Sequence, residues 1–241
     1  MQTVILAGGL ATRMRPLTEN FPKALLPIAG HPFIHWQLKH LAQTGVTDVV
    51  LCVGFRGDMI QDFVKDGSEW GLKVKFVDEG KDLRGTAGAI RLALDQGVLE
   101  ERFLITYGDS YLPVSFQKVW ESYIDSGLPA IMTVYKNQNQ FDKSNVWFEE
   151  GKIKVYDKFV KPDSPYFKNI KYIDYGLTGL NRETVKKEIP SGVKSDLAEL
   201  FHRLSLKGEL AGWDSPKRFY EIGSQEGLKE LDTLMQKATH L

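Results

Sequence analysis

Cysteine is nearly absent. Cys52 is the single one in 241 residues, so neither a disulfide framework nor a cysteine-based zinc site can be assembled. It lies in the apolar run Val49–Val53 and reads as a buried strand residue. Net charge is absent too: 31 basic residues meet 31 acidic ones. No overall field draws the chain toward nucleic acid or anionic lipid, and an anionic ligand has to be met by a local cluster of cations. No apolar run approaches the roughly 18 residues of a membrane span, and the first strand-like run is not preceded by a charged segment with a cleavage site. A cytoplasmic protein without nucleic-acid or membrane partners is expected. The five histidines, His31, His35, His40, His202 and His240, form no H-E-x-x-H and no zinc spacing. G-x-G-x-x-G, G-x-x-x-x-G-K-[ST] and G-x-S-x-G are missing as well, which argues against dinucleotide redox chemistry, a P-loop and a serine hydrolase. Linkers, repeats and low-complexity tracts are also lacking. One domain over residues 1–241 is expected, with a first half to about 135 and a second from about 136.

Short β-branched runs alternate with helical patterns over the first half. Gln2–Ala7, Asp48–Val53, Lys73–Val77, Phe103–Tyr107 and Ala130–Tyr135 read as strands. Phe33–Thr44, Asp58–Lys65 and Gly85–Gln96 carry apolar residues at helical spacing. This alternation predicts an α/β fold, a mostly parallel mixed sheet with helices on both faces. Ligands of such sheets sit beyond the carboxyl ends of the strands. Further on, Asn145–Glu149 and Lys152–Tyr156 flank Glu150-Gly151 as a hairpin, Tyr172–Leu180 reads as a strand and Asp196–Lys207 as an amphipathic helix. Lys217–Ile222 reads as another strand, with Ser224 capping a last helix from Gln225.

The strongest chemical signal follows the first strand: Leu6-Ala7-Gly8-Gly9-Leu10-Ala11-Thr12-Arg13-Met14-Arg15-Pro16-Leu17-Thr18, then Phe21-Pro22-Lys23-Ala24-Leu25-Leu26-Pro27-Ile28. Two glycines leaving a buried strand let the backbone pass close to a ligand and turn its N–H groups inward. Arg13 offers a forked donor set for phosphate oxygens and Lys23 a point charge. A tight turn with two solvated cations is the plainer alternative, but it does not account for a loop of this length and content. Glu79-Gly80-Lys81-Asp82-Leu83-Arg84-Gly85-Thr86-Ala87-Gly88-Ala89 opens a helix with small residues, against which a flat base can lie. Tyr107-Gly108-Asp109-Ser110 sets a carboxylate at a strand end, where it can hold Mg²⁺ or merely cap a turn.

G-G-x-x-T-R-x-x-P-L-T followed by P-K-x-L-x-P-I resembles the signature of the sugar-1-phosphate nucleotidyltransferases. The resemblance is to the short forms without a C-terminal β-helix, the heptose-1-phosphate guanylyltransferase and N-acetylmuramate-1-phosphate uridylyltransferase types. It implies a Rossmann-like, GT-A-like fold and the transfer of a nucleotidyl group from an NTP to a sugar 1-phosphate, with Mg²⁺ as cofactor. Arg13 and Lys23 are then catalytic. Leu6, Ala7, Gly8, Gly9, Thr12, Glu79, Gly85, Thr86, Gly88 and Gly108 meet the nucleotide. Asp109 is the metal aspartate, and Glu221, in Glu221-Ile222-Gly223 where relatives have D-I-G, is the second metal carboxylate. Asp157-Lys158 matches an acid–lysine element, so Lys158 is preferred over Lys161 for the acceptor phosphate. Asp174 and Gly176 fall where relatives bind sugar hydroxyls, although Asp174 also reads as a strand-edge aspartate. Ala11 stands where the family usually has glycine. If the backbone there has positive φ, alanine costs roughly 1–2 kcal/mol. The Gly30-His31-Pro32-Phe33 turn and the short length lean the reading to GTP and heptose 1-phosphate. Uridylyl, thymidylyl or cytidylyl transfer to a hexose or amino-sugar phosphate or to phosphocholine stays open, as does a non-catalytic nucleotide-sugar sensor. The Trp and Phe content leaves room for a homodimer patch.

Overall fold

The computed structural model describes residues 1–137, 139–140 and 142–239, without the side chains of residues 13, 238 and 239. The first half runs β1 (Gln2–Leu6), α1 (Phe33–Gln43), β2 (Asp48–Val53), α2 (Gly57–Val64), β3 (Lys73–Asp78), α3 (Gly85–Asp95) and β4 (Arg102–Tyr107). There follow α4 (Phe116–Asp125), β5 (Ala130–Lys136), β6 (Val146–Glu149), β7 (Lys152–Tyr156), β8 (Tyr172–Asn181), α5 (Arg182–Glu188), α6 (Leu197–Leu206), β9 (Leu210–Asp214) and α7 (Gln225–Thr239).

Among the described residues, nine strands form one mixed sheet in the order β3-β2-β1-β4-β8-β5-β9-β7-β6. The first four are parallel. From β4 onward antiparallel pairs dominate, β9 alone lying parallel to β5. β6 also pairs with β8 through Tyr172 and Val146, so the second half curls back on itself.

Side chains alternate across each strand, and that period of two builds a core on both faces. Val4, Val50 and Cys52 face α3, α5 and α6 in one cluster. Ile5, Val49, Leu51 and Val53 face α1, α2 and α4 in the other. The outer strand β3 exposes Lys73 and Lys75, charges that discourage pairing with another edge. A third, smaller cluster has α7 pressing Leu231 and Met235 onto Met14, Leu26, Ile28 and Trp36. The C-terminal helix therefore backs the loop after β1. Asp232 accepts a hydrogen bond there from the Ala29 N–H at 2.7 Å.

Three elements were not anticipated. Helix α4 packs Phe116, Val119 and Tyr123 inward and is capped by Ser115, which accepts from the Lys118 N–H. Helix α5 is short and capped by Asn181. Strand β9 is central to the second half, yet its Gly212 carries no side-chain signal. A Cβ at Gly212 would come 2.5 Å from the Phe148 ring, which fills that space. The expected strand Lys217–Ile222 is corrected: only Tyr220–Glu221 is regular, paired antiparallel with Ser110–Tyr111. Pairing stops there because its partner is itself two residues long.

Candidate active site

The carboxyl ends of β1 and β4 and the start of α3 enclose a cleft of about 260 Å³. Leu6, Ala7, Gly8, Gly9, Lys23, Glu79, Gly85, Thr86, Gly108 and Asp109, all singled out in the sequence, line it. Four of its lining residues, Gly8, Gly9, Gly85 and Gly108, present bare backbone. A Cβ on Gly8 would lie 2.5 Å from Glu79 Oε1, and one on Gly108 2.8 Å from the Ala7 Cβ. Substitution at Gly108 would press the two strand ends apart, and at Gly8 it would displace the Glu79 carboxylate. Glu79 Oε2 accepts the Arg84 N–H at 2.8 Å. Burial raises the Glu79 pKa, and the Arg84 N–H and guanidinium oppose that rise.

The loop after β1 is bent through Ala11, whose φ of 48° and ψ of 38° are left-handed. The condition for strain at that alanine is met. The Thr18 hydroxyl, buried, donates to the Ala11 carbonyl at 2.8 Å and ties the loop off. Thr12 is exposed and outside the cleft lining. Arg13 has its backbone in the turn Thr12–Met14, but its side chain lies outside the described residues.

Lys23 sits on a 3-10 turn anchored by buried Ala24 and Leu25. Its Nζ is 2.9 Å from Asp109 Oδ2. The Asp109 carboxylate thus already holds a cation, and Ser110 Oγ donates to its other oxygen at 3.2 Å. The pairing of Tyr220–Glu221 with Ser110–Tyr111 sets Glu221 opposite Ser110, and the Ile222 N–H donates to the Asp109 carbonyl at 2.9 Å. The two carboxylates expected to hold a metal therefore come from neighbouring segments. Among the described residues no cluster of three or more His, Cys, Asp or Glu is assembled for a metal. A divalent ion here would complete its oxygen shell from phosphate and water, as Mg²⁺ commonly does.

Gly85 and Gly88 turn out to accommodate a second segment. Gly85 has a φ of 73°, and a Cβ there would collide with the Ser195 carbonyl; one on Gly88 would come 3.1 Å from the Val193 carbonyl. That Ser195 carbonyl accepts from the Ala87 N–H at 3.1 Å and the Gly88 N–H at 3.4 Å, so chain rather than ligand occupies these two amides of the first turn of α3. Gly88 is buried beneath this segment and does not line the cleft.

Beside the cleft lies a cluster of side chains. Three residues of β8, 175–177, bulge opposite Thr133, and Gly176 at the bulge has a φ of 92°. Its N–H donates to Asp174 Oδ1 at 2.9 Å. Burial pushes the Asp174 carboxyl up to about 6, against the pull of that N–H, Lys158 and the Tyr156 hydroxyl. Tyr107 stands between the cleft and this cluster, its phenol pKa raised by burial and by Asp174, Asp196 and Asp109. Lys158 Nζ lies 3.6 Å from Asp196 Oδ2, both about half exposed. Asp196 Oδ1 accepts from Thr86 Oγ1 at 3.1 Å and from the Ala198 N–H, capping α6. Lys161 is exposed. Tyr107, Tyr156 and Asp196 escaped the sequence reading. A tyrosine ending a strand and an aspartate opening a helix look structural until the fold sets them beside one cleft.

The nucleotidyl transferase family model matches residues 2–197, and the chain belongs to that family of enzymes. It is 31% identical over 248 residues to the rice (Oryza sativa subsp. japonica) protein named Probable mannose-1-phosphate guanylyltransferase 3, covering 100% of this chain and 67% of that one. It is 28% identical to the N-acetylmuramate alpha-1-phosphate uridylyltransferase of Neisseria meningitidis, over 97% of this chain and 98% of that protein. Among solved structures, HddC from Yersinia pseudotuberculosis complexed with GMP-PN matches with a TM-score of 0.80 at 22% identity, covering 97% of this chain and 99% of that one. The inositol-1-phosphate CTP transferase from T. maritima matches with 0.75 at 22% identity, covering 98% and 95%. At such identities these structures establish the fold, a Rossmann-like α/β sheet. No helix among the described residues is long and apolar enough to cross a membrane.

Proposed function

We propose that this nucleotidyltransferase joins an NTP to a sugar 1-phosphate, giving an NDP-sugar and pyrophosphate. The observation that carries the proposal is that Tyr107 and Thr86 of the glycine-walled cleft, which also holds the Lys23–Asp109 pair, reach Asp174, Asp196 and, through Asp196, Lys158 beside it. An oxygen of the sugar phosphate attacks the α-phosphorus in line, and the bond to the β-phosphate breaks as pyrophosphate leaves. The nucleophile is already an anion and needs no general base, so positioning and charge neutralisation carry the rate. Arg13 neutralises the triphosphate and the departing pyrophosphate, Lys23 lies near the α-phosphate, and Lys158 holds the acceptor phosphate. Asp109 and Glu221 are the ligands for Mg²⁺, which when bound withdraws charge from phosphate oxygens.

GTP is the proposed donor. Glu79 is acceptor-only when ionised, and a guanine edge offers it two N–H donors where uracil offers one. The guanylyltransferase relatives support the same base. Heptose 1-phosphate is the proposed acceptor. A second reading, UTP with an N-acetylated amino-sugar phosphate, is favoured by the near full-length match to a uridylyltransferase. Pyrophosphate release with Mg²⁺, each NTP tested against a panel of sugar 1-phosphates and phosphocholine, separates the two. Release with UTP and not GTP would contradict the base assignment.

A further inference from the structure

We infer that Gln37, on α1, is a positioning residue that fixes the turn carrying Asp109; the inference rests on the reading of Asp109 as a metal ligand. Gln37 is 4% exposed and lies outside every segment singled out for chemistry. Its Nε2 donates to the Tyr107 carbonyl at 2.8 Å and to the Ser110 carbonyl at 3.0 Å. Those two carbonyls bracket Gly108-Asp109. One planar NH₂ group, with two hydrogens at a fixed angle, therefore spans the whole turn.

The amide orientation follows from chemistry. Turned over, it would set a third oxygen against two carbonyl oxygens. In the orientation present, Gln37 Oε1 is buried and faces no donor among the described residues. A buried acceptor left unpaired is a cost, and such costs concentrate where geometry matters more than stability. The outer side of the turn is held separately, by the Gly108 N–H on the Leu6 carbonyl and the Ile222 N–H on the Asp109 carbonyl, both 2.9 Å. One helical turn along α1, a His40 ring nitrogen lies 3.0 Å from the Val114 carbonyl. The same face of α1 thus grips the chain before and after the metal turn. Gln37 itself touches neither the Asp109 carboxylate nor the cleft. It acts by placing the Asp109 Cα, from which the carboxylate reaches both Lys23 and a cation.

Three variants test this. Gln37→Met keeps length and volume and removes both donors; Gln37→Asn keeps the donors on a stem one methylene shorter, able to reach one carbonyl. Leu38→Ala opens a cavity on a different face of α1, where Leu38 is fully buried. The readout is Mn²⁺ affinity by water-proton relaxation in the presence of pyrophosphate, the product of every NTP, alongside kcat and the acceptor KM. Supporting partners of metal ligands commonly contribute 10–100-fold. Gln37→Met is expected to weaken Mn²⁺ binding about tenfold or more and lower kcat with the acceptor KM unchanged. Gln37→Asn should fall between it and the wild type, and Leu38→Ala should lose thermal stability while keeping its Mn²⁺ affinity. Wild-type Mn²⁺ affinity in folded Gln37→Met, or in Gln37→Asn should the first variant not fold, overturns the inference. So does an equal loss in Leu38→Ala, which would make the role merely structural. Asp109→Asn separates the two layers of the argument: if it too binds Mn²⁺ like the wild type, the metal assignment has failed and not only the role of Gln37.

Discussion

The cleft and the cluster beside it are built from different materials. The cleft is lined by Gly8, Gly9 and Gly108, beyond the ends of parallel strands, and by the glycine-opened α3. The cluster is side chains, Asp174, Tyr156, Lys158 and Asp196, carried by antiparallel strands, a bulge and a helix cap. At Gly85 and Gly108 an added Cβ collides with a neighbouring loop or strand end, whereas at Gly9 it meets nothing within 4 Å. Side-chain walls can be rewritten residue by residue without disturbing the sheet. In the proposed function the cleft is the nucleotide side, with the shared chemistry of phosphate and base, and the cluster is the acceptor side, which selects the acceptor.

Substitutions that respect or cross this division should behave differently. The largest effect is expected at the junction, where Asp109→Ala should lower kcat by about 10³-fold while leaving the protein folded. Pyrophosphate release and thermal unfolding of the same sample check it, and near-normal turnover would remove Asp109 from the chemistry. On the backbone side, Gly85→Ala should destabilise by roughly 1–3 kcal/mol, because it combines a positive φ with a collision against the Ser195 carbonyl. Urea unfolding reads this directly; an unchanged midpoint would mean that the 193–195 segment moves freely. On the acceptor side, Lys158→Ala should raise the acceptor KM about tenfold, the scale of one charge-assisted hydrogen bond, with the NTP KM and stability little altered. Lys161→Ala serves as its comparison, and equal effects would erase the distinction between the two lysines.

The last prediction is a pH dependence. The folded Asp174 carboxyl sits at about 6 against an ordinary 3.8, so the folded state binds this proton more tightly than the unfolded chain. Its contribution to stability is full below 3.8 and is lost as pH rises to about 6. The stability of the wild type minus that of Asp174→Asn should therefore fall across that interval and level off above it. A difference that rises with pH would show the carboxylate to be stabilised by its partners rather than burdened by burial.

The backbone side was legible in the sequence because it is written in glycines, prolines and two cations at fixed spacing. Strands β1, β2 and β4 were equally plain, as continuous β-branched runs. The second half was harder for a physical reason. Strand β9 replaces a core side chain with Gly212 so that Phe148 can fill the space, and a strand signalled by its neighbour's ring has no pattern of its own. Asp196 reads as a helix cap, and it is one; its bonds to Thr86 and Lys158 exist only after α3 and α6 are brought together. Gln37 was silent for the same reason, since nothing local marks a glutamine whose partners are some seventy residues away. Ala11 could be judged in advance, because its penalty depended on one dihedral angle, and that angle is left-handed.

The central claim is that the two sides serve one reaction. It is tested most directly by pyrophosphate release with Mg²⁺, run over every pairing of four NTPs with sugar 1-phosphates and phosphocholine. The account predicts release with GTP and a sugar 1-phosphate, lost in Asp109→Ala and weakened at the acceptor in Lys158→Ala. Tight nucleotide binding with no release from any pairing would contradict it and leave a sensor that kept the fold without the chemistry.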